Sequence, residues 1–140
     1  MSLYKTILVP LECTPTDRAI IEHIKRLAPV TQSRVVLLHV ASGVPATYHR
    51  ADATGSEVEE SKTFLGRAKA EFTEVGIPVE AELAFGEPAA EIVKWVKRKG
   101  CDLIAMSTHG HKFIADLVLG TTANRVQHSL SVPVLLLRAK

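Results

Sequence analysis

Gly110 and Gly120 are separated by nine residues, and Gly120 runs directly into Thr121 and Thr122. Glycine lets a backbone approach a ligand closely, and a helix starting at that point offers unpaired N–H groups and a positive dipole end to an anion. The two threonine hydroxyls add donors, so the chemistry implied is phosphate binding. A second reading stays open, in which Gly120 only turns the chain and Thr121 or Thr122 only caps the helix. His109 and His111 flank Gly110, but no third ligand with suitable spacing accompanies them, and no metal site is expected. His109 is read as shaping the loop, and Lys112 as screening phosphate charge. Cys13 stands just before a helix start, a setting that can acidify a thiol, yet a buried and inert thiol is the expected state. Trp95, Phe64 and Phe113 are read as packing residues. The chain has no Gly-x-Ser-x-Gly, no Gly-x-x-x-x-Gly-Lys-Ser/Thr and no Gly-x-Gly-x-x-Gly, which counts against hydrolase, Walker-type ATPase and dehydrogenase chemistry.

Periodicity shows what must position these residues. Tyr4 to Val9 is a short apolar run stopped by Pro10, a buried first strand. Thr14-Pro15-Thr16-Asp17 supplies an N-cap hydroxyl, a proline for the first helical position and an acid for the first turn, ahead of Ile20, Ile24 and Leu27 at helical spacing. Arg34 to Val40 is a second strand, and Ala41 to Ser56, rich in Gly, Pro, Ala and Thr, reads as a long mobile loop and a candidate lid. Val58, Leu65, Ala68, Phe72 and Val75 form one stripe of a second helix that Gly76 closes. Val79, Ala81, Leu83 and Phe85 alternate with Glu80, Glu82 and Ala84, as expected of a strand near a sheet edge and the least buried of the set. Gly86-Glu87-Pro88 opens a third helix that ends at Gly100, and Asp102 to Met106 is a fourth strand. A fourth helix begins near Gly120, with Val126 and Leu130 on its inner side, and Val132 to Leu137 closes the chain as a fifth strand.

Alternating strands and amphipathic helices predict an α/β fold, a doubly wound, mostly parallel five-stranded sheet with four helices and right-handed crossovers. Ligands of such sheets sit beyond the C-terminal ends of the strands, where strand order reverses. That rule points at Pro10 to Thr14, at Val40 to Gly43 and at Met106 onward, stretches that hold the candidate site residues Pro10, Leu11, Glu12, Val40, Met106, Ser107, Gly110, Gly120, Thr121 and Thr122. Glu12 is the one carboxylate placed in the pocket, so no acid–base pair stands out and no catalytic residue is assigned.

The 140 residues, 46% of them hydrophobic, suffice for one domain over 1–140 with a core that needs no disulfide or metal. The formal charge is +2 with Lys and Arg scattered, so neither nucleic acid nor a membrane surface is expected as a partner. Cys13 and Cys101 lie far apart without metal or redox spacing, which fits a reducing, cytoplasmic setting. The N-terminus enters an apolar strand within a few residues, and no apolar run approaches the roughly 18 residues of a membrane span. Neither export nor insertion is expected.

Four segments, Ile7-Leu8-Val9-Pro10, Val36-Leu37-Leu38-His39-Val40, Gly86-Glu87-Pro88-Ala89-Ala90-Glu91-Ile92 and Cys101 to Gly110, occur in an order that resembles the universal stress proteins over nearly the whole chain. The ATP-binding branch of that family carries Gly-x-x-Gly, nine residues, then Gly and Ser or Thr. Ser107-Thr108-His109-Gly110, nine residues and Gly120-Thr121 match it at every position but the first glycine. The resemblance implies a Rossmann-like fold of the adenine nucleotide alpha-hydrolase type. It implies a Met106 to Gly110 loop around ribose and phosphates, with Gly120, Thr121 and Thr122 at phosphate oxygens and the Val40 backbone at adenine. Where the family usually has Asp two positions after the Val-Pro pair, this chain has Leu11 and then Glu12, which keeps the charge and reaches further. Ser107 brings a Cβ to a glycine position; a torsion open only to glycine would strain it by about 1–2 kcal/mol. That is roughly ten-fold in affinity, unless its hydroxyl donates a hydrogen bond instead.

The function so implied is a cytoplasmic stress-response module. It binds ATP, or AMP or cyclic AMP, with Mg2+ carried by the nucleotide. It senses more than it catalyses, and signals its bound state to a protein partner of unknown identity through the 41–56 loop. A nucleotide-free dimeric interaction protein of the same family is the alternative, and a weak ATPase or autokinase the third. A homodimer is expected through Val132 to Leu137, which is apolar on both faces and would otherwise leave an open sheet edge; members of the resembling family commonly pair there.

Overall fold

The computed structural model describes residues 3–41, 52–108, 125–126 and 130–138, with the backbone alone for 52–55. Strand β1 is Thr6–Pro10, with Ile7, Leu8 and Val9 completely buried. It starts two residues later than the apolar run suggests, because the Asp102 carboxylate takes the N–H groups of Lys5 (2.9 Å) and Thr6 (3.0 Å). A single 3-10 turn, Pro15–Asp17, leads into helix α1, Arg18–Thr31. Strand β2 is Arg34–Ala41, helix α2 Asp52–Glu74, strand β3 Val79–Phe85 and helix α3 Pro88–Lys99. Strands β4, Leu103–Ser107, and β5, Val134–Leu137, complete the described elements.

Two larger boundary differences stand out. Residues 52–56 were expected in the loop but form the first turns of α2, whereas 42–51 lie outside the described residues. Once a helix is anchored by packed residues such as Leu65 and Phe72, each further residue adds a hydrogen bond without a new nucleation cost, and weak helix formers are carried along. β5 starts at Val134, after Pro133, whose ring leaves no N–H for a ladder. Of the expected fourth helix, Arg125 and Val126 are helical, and Leu130, outside regular secondary structure, packs with Val126 on the inner side as expected; residues 120–124 and 127–129 lie outside the described residues.

All strand pairs are parallel, in the order β3-β2-β1-β4-β5. The chain therefore steps outward from β1 to β2 and β3, then returns over the sheet to β4 and β5. Ile7, Val9, Val35, Leu37, Leu103 and Ala105 face one way and pack against Ile20, Ile24, Leu65 and Phe72 of α1 and α2. Leu8, Val36, Leu38, Ile104 and Met106 face the other way, onto Ile92, Trp95 and Val96 of α3 and onto Val126. These two faces are the doubly wound fold expected from the alternation. β3 is an edge strand as expected, but it is not the least buried: Ala84 is buried, whereas all four residues of β5 are half-buried at the opposite edge.

Gly86 turns β3 into α3 at φ +140, where a Cβ would meet the Glu91 side chain at 3.3 Å. Glu87 then caps α3, its carboxylate accepting from Ala89 N (3.1 Å) and Ala90 N (3.0 Å) and pairing with Arg125 at 3.0 Å. That ion pair ties the start of α3 to the helical residues Arg125 and Val126.

Candidate functional site

Strand order reverses at β1 and β4, so the space beyond their C-terminal ends is where a doubly wound sheet takes a ligand. Pro10 is the last residue of β1 and pairs with Leu38 of β2 alone, a level of the sheet where its missing N–H costs no bond to β4. Leu11 is buried; its N–H donates to Leu38 O at 2.8 Å and its carbonyl accepts from His39 Nδ1 at 2.8 Å. Glu12 follows with an exposed side chain. Val40, half-buried, stands near the end of β2 in register with Ala84. Met106 is buried and Ser107 half-buried at the end of β4, and Thr108 N–H donates to Leu137 O at 2.8 Å. Six of the ten expected residues thus end three adjacent strands on one rim of the sheet. Gly110, Gly120, Thr121 and Thr122 lie outside the described residues.

Ser107 corrects one expectation. Among the described residues only Cys13 (φ 63) and Gln32 (φ 55) combine a side chain with a left-handed backbone, so Ser107 sits in ordinary strand geometry and carries no strain. Its hydroxyl is the noteworthy part. Ser107 Oγ is fully buried and, among the described residues, is the one buried side-chain oxygen or nitrogen with no hydrogen-bond partner. Native proteins satisfy nearly all such groups, with protein, ordered water or a bound ion or ligand, so this one calls for a partner. A ligand hydroxyl or phosphate oxygen at the switch point fits it chemically.

The β1–α1 turn carries the cap expected of Thr14 and Asp17 and goes further than the sequence indicates. The Thr14 hydroxyl lies against Thr16 Oγ1 at 2.5 Å. Asp17 instead reaches back, its carboxylate accepting from the N–H groups of Glu12 (3.1 Å), Cys13 (2.7 Å) and Thr14 (3.3 Å). Only 1% of Asp17 is exposed. Burial pushes its carboxyl above the usual Asp value, while the three N–H bonds pull the other way. Cys13 is half-buried, with its thiol 3.9 Å from Ser61 O of α2. Burial first, and the Asp17 charge second, push this thiol up to about 12, so it stays protonated and unreactive. His39 was also missed: a histidine inside an apolar strand reads as core, and its tie to Leu11 O is a tertiary contact. Among the described residues no group of three His, Cys, Asp or Glu could hold a metal, and no helix is long and apolar enough to cross a membrane.

A parallel sheet wound on both faces, with a rim of strand ends at its point of reversal, defines a Rossmann-like α/β protein. Within that class the chain belongs to the universal stress protein family, whose model matches residues 3–138. It is 27% identical to universal stress protein MJ0577 of Methanocaldococcus jannaschii, over 99% of this chain and 97% of the relative. It is 30% identical to universal stress protein A homolog 2 of Coxiella burnetii, over 100% and 99% of the two chains. The solved structure of MJ0577 superposes with a TM-score of 0.82 at 28% identity, covering 99% of this chain and 98% of that one. A universal stress protein solved in complex with cAMP shares the fold at TM-score 0.76 and 17% identity, over 99% and 100%. One from Archaeoglobus fulgidus, in complex with dAMP, does so at 0.70 and 18%, over 96% and 98%.

Proposed function

We propose that this chain binds an adenine nucleotide, ATP or a mononucleotide such as AMP or cyclic AMP, on the rim formed by β1, β2 and β4, and that it senses the ligand more than it transforms it. The observation that carries the proposal is the buried, unpartnered Ser107 hydroxyl at the point of strand reversal. Family membership supports it, as do two fold relatives solved with cAMP and dAMP. In this reading Val40 meets the base through its backbone, and Pro10, Leu11 and Glu12 line the nucleoside. Met106, Ser107 and Gly110 lie along the ribose and phosphates, and Gly120, Thr121 and Thr122 hold phosphate oxygens. Mg2+ would arrive with the phosphates and neutralise part of their charge. Among these residues Glu12 is the one carboxylate, which leaves no matched acid and base for efficient turnover.

The test is calorimetric titration of nucleotide-stripped protein with magnesium ATP, AMP and cyclic AMP, repeated on Gly120→Val. Binding that the variant loses supports the site; no heat with any nucleotide on folded protein removes it.

A second reading, a nucleotide-free dimeric interaction protein, draws on β5. This strand is wholly aliphatic, its four residues stay half-buried, and among the described residues no further strand lies beyond it, so apolar side chains stand at the sheet margin. We propose that a second copy pairs there. Pairing is compatible with either reading, and the titration separates them.

A further inference from the structure

We propose that a cavity at the foot of the sheet, at the opposite end from the rim, is a second binding site. It takes a small amphipathic monocarboxylate, a free acid with one negative charge and a short aliphatic body, and it does not depend on the nucleotide reading. The cavity measures about 540 Å³ and lies where β1, β2 and β3 begin and where α1 and α2 end. Small-molecule sites span about 300–1,000 Å³, so one such acid fits. Pro29 on one side and Val75, Ile77 and Pro78 on the other give it an apolar wall. Lys5, Gln32 and Arg34 give it a polar end, and among the described residues no carboxylate lines it.

The charges around the cavity leave one cation over. Arg34 pairs with Glu80, which also takes Lys99 at 2.7 Å, and Lys99 lies 4.0 Å from Glu82, so two cations there meet two acids. Asp102 uses both carboxylate oxygens on the N–H groups of Lys5 and Thr6. The exposed Lys5 ammonium has no ion partner among the described residues. A single unpaired cation beside an apolar wall matches a ligand with a single negative charge. Helix C-termini attract cations, yet those facing this cavity are capped from within. The N–H groups of Gln32 and Ser33 donate to Pro29 O and Ala28 O at 3.3 and 2.9 Å, and those of Gly76 and Ile77 to Thr73 O and Phe72 O, both at 3.0 Å. The same bonds use up the main-chain donors, so side chains must hold the carboxylate. The Lys5 ammonium and the Gln32 amide, which has no hydrogen-bond partner among the described residues, are the groups left for it. Apolar exposure marks the same end of the molecule. Leu3, Val30 and Val75 are 74%, 80% and 53% exposed, the large apolar residues that face water among those described, and all three belong to the segments bordering the cavity. Apolar surface gathered in one place is a sign of binding.

The test titrates the full chain with sodium octanoate and, in parallel, with octylammonium, and follows backbone amides by NMR. Octanoate should give saturable shifts at Gln32, Ser33, Gly76 and Ile77, with a Kd in the millimolar range or tighter, and octylammonium should give none. No saturable shift at these amides, or an equal one with octylammonium, overturns the proposal. Lys5→Gln, an exposed side chain whose backbone bonds are untouched, should weaken octanoate about five- to ten-fold, between the effect of an exposed ion pair and that of a buried charged hydrogen bond. Lys97→Gln makes the same change of charge on the exposed face of α3 and should leave the affinity unmoved. Unaltered affinity in Lys5→Gln, or an equal loss in Lys97→Gln, overturns the proposal. Val75→Glu sets a carboxylate in the apolar wall at an exposed position and should abolish octanoate binding; folded Val75→Glu that still binds octanoate as wild type does also overturns it.

Discussion

Replacing Ser107 by alanine should change stability and ligand affinity in opposite directions. Its hydroxyl is buried without a partner, and an unsatisfied buried hydroxyl costs about 1–3 kcal/mol relative to an apolar group of the same shape. Ser107 as a residue is only half-buried, so the lower end applies, about 1 kcal/mol. Ser107→Ala should then raise the Tm of the ligand-free protein by about 3 °C, given how melting temperatures scale for domains of this size. In the proposed reading a bound nucleotide supplies the missing partner, and losing one such bond costs about 0.5–1.5 kcal/mol, or about two- to ten-fold in Kd. The assay is thermal unfolding of both proteins, without and with saturating magnesium ATP, together with calorimetric Kd values. A variant that melts lower without ligand, or binds ATP as tightly as wild type, would refute the idea that Ser107 is kept for the ligand. Ser107→Gly, which restores the family residue, serves as a control: it relieves the hydroxyl but loosens the strand by about 0.5–1 kcal/mol relative to alanine.

Other expectations follow from the thiols, the caps and the free edge. Both cysteines are held above their ordinary 9.0, Cys13 at about 12 and Cys101 at about 11, so the folded state binds these protons more tightly than the unfolded state. The stability they contribute is complete below about pH 9 and is lost as pH rises toward the folded values; urea midpoints should fall across that window, and less steeply in Cys13→Ala. Glu87→Ala removes the acceptor of two α3 N–H groups and the partner of Arg125, and should lower stability by about 1 kcal/mol in chemical denaturation. Asp102→Ala strands the N–H groups of Lys5 and Thr6 at the foot of β1 and should cost about 1–2 kcal/mol, with hydrogen exchange speeding first at those two amides. Sedimentation at tens of micromolar, in order of magnitude the range where a standard-sized interface is populated, should give a dimer; monomer alone would remove the β5 pairing.

The fold was legible because its information is periodic. Apolar runs such as Val35 to Leu38 and the stripe through Leu65, Ala68 and Phe72 state element type without reference to the rest of the chain, and alternation of the two dictates winding. The rim residues followed from topology alone, since any strand end at the reversal qualifies. What stayed hidden depends on geometry. Asp17 reads as an acid able to cap the Thr14 amide, and only the folded chain shows it taking the amides of Glu12 and Cys13 as well. Ser107 looked strained by comparison with a glycine pattern, yet a pattern records which residue is usual and not which torsion is present. The relative exposure of β3 and β5 was misjudged for a related reason. Composition reports that β5 is aliphatic, and says nothing of whether another strand lies beyond it.

β1 and β4 share the shortest register in the sheet, Ile7 with Leu103 and Leu8 with Ile104, reinforced at its lower end by the Asp102 clamp. β2 and β3, by contrast, run in register from Val35 to Ala41, and β4 and β5 from Ile104 to Ser107. Mechanically the sheet is two panels joined by a short seam, riveted at the bottom and unfastened at the top. That open top is the stretch between Leu11 and Ser107, so the two panels part at the rim where the strand order reverses and stay joined at the opposite end.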